Sequence, residues 1–295
     1  MAPIRRLGVI ANLTRPRARE GLEAFSRAAA GAGMAVFAEP ATAEALPGAE
    51  TLRLEAFPEA GVQAVASLGG DGSLLAAAHA LAEAGVDLPL IGLNVGRLGY
   101  LTAVNEEGFA GTLAHLAAGR FEEEPRTALE ARVHRADGSV AALPNALNDV
   151  VLSRAEGGHA FALELDLDGH PVARWLCDGL ILATPTGSTA YSLSVGGPVM
   201  APDARALVIS VIAPHALSAR PLVVPDTARV TVRVSEEGGA PATAYADGQA
   251  AVPMGPGDAL RAGAAARPVR LLTPWHRNPY APLSRKLGWG VPFVR

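Results

Sequence analysis

Residues 67–79 read SLGGDGSLLAAAH, and the way this stretch folds sets the architecture of everything around it. The run leading into it, VQAVASLG at 62–69, is short and apolar like a buried strand, whereas the leucines and alanines after Gly72 favour a helix. A strand that passes through glycines straight into a helix is the βα half of a parallel-sheet unit. Gly69, Gly70 and Gly72 permit backbone N–H groups to approach an anion closely, and the positive end of the helix favours that negative charge. Asp71, alone among them, has three possible tasks. It can help bind Mg²⁺, accept the proton of a hydroxyl attacking a phosphoryl group, or cap the helix. The stretch matches neither G-x-x-x-x-G-K-[ST] nor G-x-G-x-x-G.

Upstream and downstream, strand-like and helix-like segments alternate. RLGVIAN (6–12), MAVFAEP (34–40) and PLIGLNVG (89–96) read as strands, and 17–32 and 106–118 as helices, which predicts a mainly parallel sheet with both faces covered. Near Phe121 the texture changes. TALEARVHRADGSV, FALELDLDG, VARWLCDGLILAT and ARVTVRVSE alternate with period two, and Asp137-Gly138 and Asp168-Gly169 supply hairpin turns. The expected fold is an α/β N-terminal domain with a mainly parallel sheet (1–120), a β-rich, sandwich-like C-terminal domain (121–272), and a tail (273–295) packing back on the first domain.

Length and composition fit this reading. The chain has 295 residues, of which 49% are hydrophobic and 18% charged, a globular balance. No apolar run is long enough to span a bilayer, and the opening MAPIRRLGVIANLTRP reads as a first strand rather than a signal peptide, so a cytoplasmic protein without a membrane partner is expected. A single cysteine, Cys177, excludes an internal disulfide and reads as a small buried hydrophobe. A net charge of -4 and a pI near 6.0 give no basic footprint for nucleic acid.

Three further stretches carry chemistry. LNVGRLGYLTAV (93–104) brings a strand to Gly96 and Gly99, either as a second ligand-binding turn beside the first or as a plain connection. NALNDVVLSR (145–154) sets Asn148 beside Asp149, a pair that suits ribose hydroxyls and a base edge, or a hairpin turn. In CDGLILATPTGSTAYSLSVGGPV (177–199), Thr184, Thr186, Ser188, Thr189, Tyr191, Ser192 and Ser194 crowd around Gly187. They either line a polar ligand, with Tyr191 as a stacking ring, or bond their own backbone. His215, in a loop without an Asp or Ser partner at triad spacing, gives no support to a hydrolase.

Taken together, GGDGSLL, NVGRLGYL, ALNDVVLSR, DGLILATPTGSTAYSLSVGGPV, PHALSARPLVVP and YADGQ occur in an order that resembles the NAD kinase family, across roughly residues 7 to 275. GGDG by itself is shared with lipid kinases and phosphofructokinases, but the hydroxyl-rich segment suits a dinucleotide rather than an acyl chain. The resemblance implies phosphoryl transfer from ATP or inorganic polyphosphate to the 2′-hydroxyl of the adenosine ribose of NAD. It further implies a divalent ion, Mg²⁺ by preference, whose protein ligands the sequence does not assign, and a homodimer or homotetramer. Matched residue by residue, Asp71 is the proton acceptor, and Gly69, Gly70 and Gly72 are the phosphate-approach glycines. The NAD contacts are Asp71, Gly72, Asn148, Asp149, Asp178, Thr189, Ala190, Tyr191 and Ser194. In this family the nicotinamide-side aspartate and tyrosine can reach a neighbouring subunit's site. Two departures stand out: Asn148-Asp149 replaces the usual Asn-Glu, and Leu176 occupies a position where many members carry a basic residue. Other GGDG-type kinases and a non-catalytic NAD-binding module are the competing readings.

Overall fold

The computed structural model describes residues 1–14, 17–96, 99–102, 104–155, 160–238, 240–274, 283–284 and 287. Two compact units divide the chain, 1–124 with 270–295 and 125–269. Apart from 273–274, 283–284 and 287, the expected tail lies outside the described residues.

The first unit begins with β1 (Arg6–Ala11), α1 (Ala18–Gly31), β2 (Ala35–Ala38), α2 (Pro40–Ala45), β3 (Ala49–Thr51) and β4 (Ala64–Gly69). It continues through α3 (Asp71–Glu83), β5 (Leu90–Asn94), α4 (Phe109–Ala117) and β6 (Phe121–Arg126). A seven-stranded sheet has the order β3-β2-β1-β4-β5, then a strand from residues 269–274, then β6. The pairings β2–β3, β1–β2, β1–β4 and β4–β5 are all parallel. Both central strands read as apolar runs because helices shield both faces of a parallel sheet: β4 is buried along its whole length. Against it, α1 turns Leu22, Phe25 and Ala29 inward at helical spacing. Full burial of a Leu or Phe such as these contributes about 1.5–3 kcal/mol.

The second unit contains β7 (Leu129–His134), β8 (Val140–Ala142), β9 (Asp149–Arg154), β10 (Phe161–Leu167), β11 (His170–Cys177), β12 (Gly179–Ala183) and α5 (Tyr191–Ser194). After these come β13 (Ala206–Ile212), β14 (Leu222–Pro225), β15 (Val230–Val234), β16 (Ala242–Ala246), β17 (Ala250–Met254), β18 (Ala259–Ala264) and β19 (Val269–Pro274), the last being the strand that enters the first sheet. Two six-stranded sheets, β11-β10-β15-β18-β7-β8 and β14-β13-β12-β9-β16-β17, pair antiparallel throughout. Leu129, Ala131 and Val133 of β7, and Val230, Val232 and Val234 of β15, face Leu180 and Leu182 of β12 and Leu207 and Ile209 of β13 in one core. Two sheets sharing one apolar interface make a β-sandwich. Cys177 lies in this core, where burial pushes its thiol up to about 11. The second sheet is apolar on its other face too: Val151, Ile181, Ala183 and Val208 pack there with Val195 and Met200 from the segment after α5. Asp168-Gly169 turns β10 into β11 with φ of 53° and 86°, the pair of positive values a type I′ turn requires.

Candidate active site

In the first unit the strand order changes direction between β1 and β4, and in open parallel sheets the crevice for ligands lies at the carboxyl ends of strands at such a reversal. β4 ends there on Gly69, whose φ of 153° is a conformation L side chains seldom adopt. Gly70 is the N-cap of α3, its carbonyl accepting the N–H groups of Ser73 and Leu74 at 2.9 and 3.2 Å. Asp71 therefore opens the helix from inside, at the positive end of its dipole, and the capping role is not the one its carboxylate plays. The carboxylate crosses instead to the loop after β5. Its Oδ2 accepts the Tyr100 N–H at 2.7 Å, and its Oδ1 accepts the Leu101 and Thr102 N–H groups, both at 3.0 Å, and the Thr102 hydroxyl at 2.9 Å.

That crossing needs Gly99, because a Cβ built at this position would overlap the Asp71 carboxylate. Behind Thr102 stands buried Asn94, the last residue of β5, whose Nδ2 donates to the Thr102 hydroxyl oxygen at 2.7 Å and to its carbonyl at 3.1 Å. Since β4 and β5 pair in parallel with Gly69 opposite Asn94, the two glycine turns emerge side by side. The Tyr100 phenol is raised above its ordinary range by burial and by the nearby Asp71 charge. Arg97, Leu98 and Ala103 of this loop lie outside the described residues.

In the second unit Asn148 and Asp149 begin β9, next to the end of β12, where Ala183 pairs with Asp149. Asp149 is 5% exposed, and its carboxyl is pushed up to about 7 by desolvation and then by the Asp247 charge, against a backbone hydrogen bond from Tyr191 that favours ionisation. Thr184 leaves β12 by donating its N–H to the Asn148 carbonyl at 2.9 Å and its hydroxyl to the Leu147 carbonyl at 2.6 Å. Gly187 then passes so close to the Asn148 backbone that no Cβ fits.

Much of the hydroxyl-rich segment turns inward. The Ser188 and Thr189 hydroxyls donate to the carbonyls of Pro185 and Thr186, at 2.7 and 3.2 Å, and the Ser192 and Ser210 hydroxyls share a hydrogen bond of 3.0 Å. Thr184, Ser188, Thr189 and Ser192 thus shape the turn, while Tyr191 is 45% exposed and Ser194 is exposed as well. Asn148, Asp149, Thr189, Ala190, Tyr191 and Ser194 are consequently gathered at one end of β12. Asp178 is not among them. It precedes β12 at the far end, where Gly179 pairs with Ser153, five residues or about 16 Å along the strand from Ala183. Its carboxylate pairs with Arg154 of the neighbouring strand β9 at 3.3 Å.

Several contributors escaped a linear reading. Thr102, Asn94 and Arg154 act through contacts between segments distant in sequence, and Asp247 was visible only within YADGQ, one piece of the family resemblance. His215 is exposed, its backbone N–H bonded to the Leu176 carbonyl at 2.9 Å.

Comparison with known proteins matches residues 14–121 to the ATP-NAD kinase N-terminal domain and residues 147–273 to the ATP-NAD kinase C-terminal domain. An NAD kinase from Azoarcus sp. is 40% identical over 261 residues, covering 88% of this chain and 87% of its own length. This chain belongs to the NAD kinase family. Another member, the NAD kinase of Ectopseudomonas mendocina, is 38% identical over 98% of both chains. An NAD kinase from Archaeoglobus fulgidus, solved in complex with ATP, superposes with a TM-score of 0.68 at 26% identity over 91% of this chain and 94% of its own. Yeast NADH kinase, solved with NADH, shares the fold at 23% identity, with a TM-score of 0.84 over 99% of this chain and 90% of that one. Both of the chain's glycine turns and its Asn148-Asp149 pair fall within the family's matched domains.

Proposed function

We propose that this chain transfers a phosphoryl group from ATP, or from inorganic polyphosphate, to the 2′-hydroxyl of the adenosine ribose of NAD, forming NADP. The observation that carries the reading is the Asp71 carboxylate, fixed at the N-terminus of α3 by the loop of the neighbouring strand, in a chain of the NAD kinase family. Phosphoryl transfer asks for positioning and charge compensation more than for reactive side chains. As the 2′-oxygen forms its bond to the terminal phosphorus and the bond to the ADP leaving group breaks, Asp71 takes the hydroxyl proton. The glycines at 69, 70 and 72 admit the phosphates to the positive end of the helix. Asn148 and Asp149 hold the adenosine half. Asp178, Thr189, Ala190, Tyr191 and Ser194 hold the nicotinamide ribose side.

Among the described residues no three His, Cys, Asp or Glu side chains converge on a common point. A Mg²⁺ ion would be held here mainly by the nucleotide phosphates and water, with Asp71 as the protein carboxylate nearest to it, and would supply charge neutralisation at the phosphates. Asp178 stands apart from Asp149 and Tyr191 within one chain, which supports a homodimer or homotetramer in which Asp178 serves a neighbouring subunit's site. No helix among the described residues is long and apolar enough to cross a membrane, and a cytoplasmic enzyme is the consistent reading.

The test is direct: incubation with ATP, Mg²⁺ and NAD, followed by readout of NADP with an NADP-specific dehydrogenase. Parallel reactions with polyphosphate as donor and NADH as acceptor define the substrate range. Absence of NADP in every combination would reject the kinase reading, and NAD binding without turnover would favour a non-catalytic module.

A further inference from the structure

Asp247 sits outside the residues assigned above, yet three successive backbone donors point at it. Its Oδ2 accepts the Leu147 N–H at 2.9 Å, and its Oδ1 accepts the N–H groups of Asn148 at 2.8 Å and Asp149 at 3.1 Å. In return the Asp247 N–H donates to the Asp149 carbonyl at 3.0 Å. The backbone before β9 is thus wrapped around one carboxylate, in the manner of an anion-binding nest whose anion is part of the protein. Asp247 reaches this position from the turn between β16 and β17, where Asp247 and Gly248 have φ of 50° and 67° and Gln249 N–H closes onto the Ala246 carbonyl at 3.0 Å. Positive φ at both central positions is what an Asp-Gly pair provides. Asn148, whose side-chain amide has no hydrogen-bond partner among the described residues, is left with that amide available to a ligand.

Resting on the kinase reading above, we propose that Asp247 is the positioning residue of the adenosine end of the site: by gripping the backbone of 147–149 it presents the Asn148 amide and the Asp149 carboxyl to the nucleotide. A carboxylate is suited to this because one group satisfies three donors that a neutral side chain cannot all satisfy, and charge-assisted bonds of this kind are about twice as strong as neutral ones. The grip has an electrostatic consequence. Asp149 faces the Asp247 carboxylate from the β16–β17 turn and the Tyr191 N–H from α5, while its strand partner Ala183 carries no charge. Neutralising Asp247 removes a like charge and so makes Asp149 easier to ionise.

Asp247→Asn tests the assignment, since Asn keeps the left-handed turn but neither the charge nor the second acceptor oxygen. The expected result is a rise of about 10-fold in KM for NAD with kcat within about threefold. In addition, the acid limb of kcat/KM for NAD, centred near the pH at which Asp149 titrates in the wild type, moves to lower pH. Asp247→Gly, which suits the same turn, repeats the comparison if the Asn variant is unstable, and near-ultraviolet circular dichroism verifies folding. An unchanged KM overturns the proposal, and so does a raised KM with an unmoved acid limb, which reduces Asp247 to a turn former. A wild type that makes no NADP overturns the kinase reading as well, so the two failures are told apart by the wild-type assay alone.

Discussion

At Asp71 an observed role, holding the 100–102 loop, meets a proposed one, accepting the hydroxyl proton, and one substitution tests both. Asp71→Asn retains an acceptor oxygen for part of the 100–102 loop but turns an NH₂ group toward backbone donors, so the folded state should lose about 1–3 kcal/mol in urea titrations. If Asp71 accepts the proton as proposed, the same substitution should lower turnover by about 10²–10⁴-fold while KM for NAD barely changes. Near-normal turnover in the purified variant would leave Asp71 as a loop strut only. Asp149 makes a prediction of opposite pH sense from an ordinary carboxylate. Its folded value, about 7, lies above the unfolded value, so the protonated form is the one the fold prefers. That contribution is fully present below the unfolded value of about 3.9 and is lost as pH rises toward 7. Urea midpoints measured at about pH 5 and about pH 8 should therefore fall more for the wild type than for Asp149→Asn; parallel curves would mean that Asp149 stays ionised throughout.

At the scale of elements, the N-terminus of α3 offers a clean separation of fold from function. A Cβ at Gly72 meets nothing within 4 Å, so Gly72→Ala should leave the free protein intact or stabilise it by up to about 1 kcal/mol through helix propensity. If phosphates occupy that space, KM for ATP should rise at least about 10-fold in initial-rate assays. Gly99→Ala should do the converse, displacing the loop that holds Asp71 and lowering kcat by about 10-fold or more. The contrast follows what was legible. The strand–glycine–helix passage at 62–83 and the Asp168-Gly169 hairpin are encoded in neighbouring residues, and periodicity exposes them. The union of Asp71 with Thr102 is set by the β4–β5 register, and that of Asp247 with Asn148 spans 99 positions, so no local pattern carries either. The density of Ser and Thr at 184–194 reads equally well as pocket lining or as turn chemistry, and only the positions of the acceptors decide between them.

Across the whole molecule, the separation of Asp178 from Asp149 along β12 leads to a complementation experiment. An Asp71→Asn chain and an Asp178→Ala chain, each nearly inactive alone, should regain activity when unfolded together and refolded as a mixture. With random pairing half of the dimers are mixed, each with one intact shared site, so about a quarter of all sites should work. Activity that stays at the level of the separate mutants, with subunit exchange verified by a tagged chain, would place each site within one chain. The strand order of the first sheet has a consequence for synthesis. β19 lies between β5 and β6, yet more than a hundred residues, those of the other unit, are translated after β6 before it appears. While the chain is still on the ribosome, the β5 edge is covered only near Leu93 and Asn94, by the bridge to Val104, and β6 lacks its sheet neighbour. The unit that is made first is thus the last to close, and a nascent chain stalled before residue 269 carries an open sheet edge of the kind that recruits chaperones or other chains.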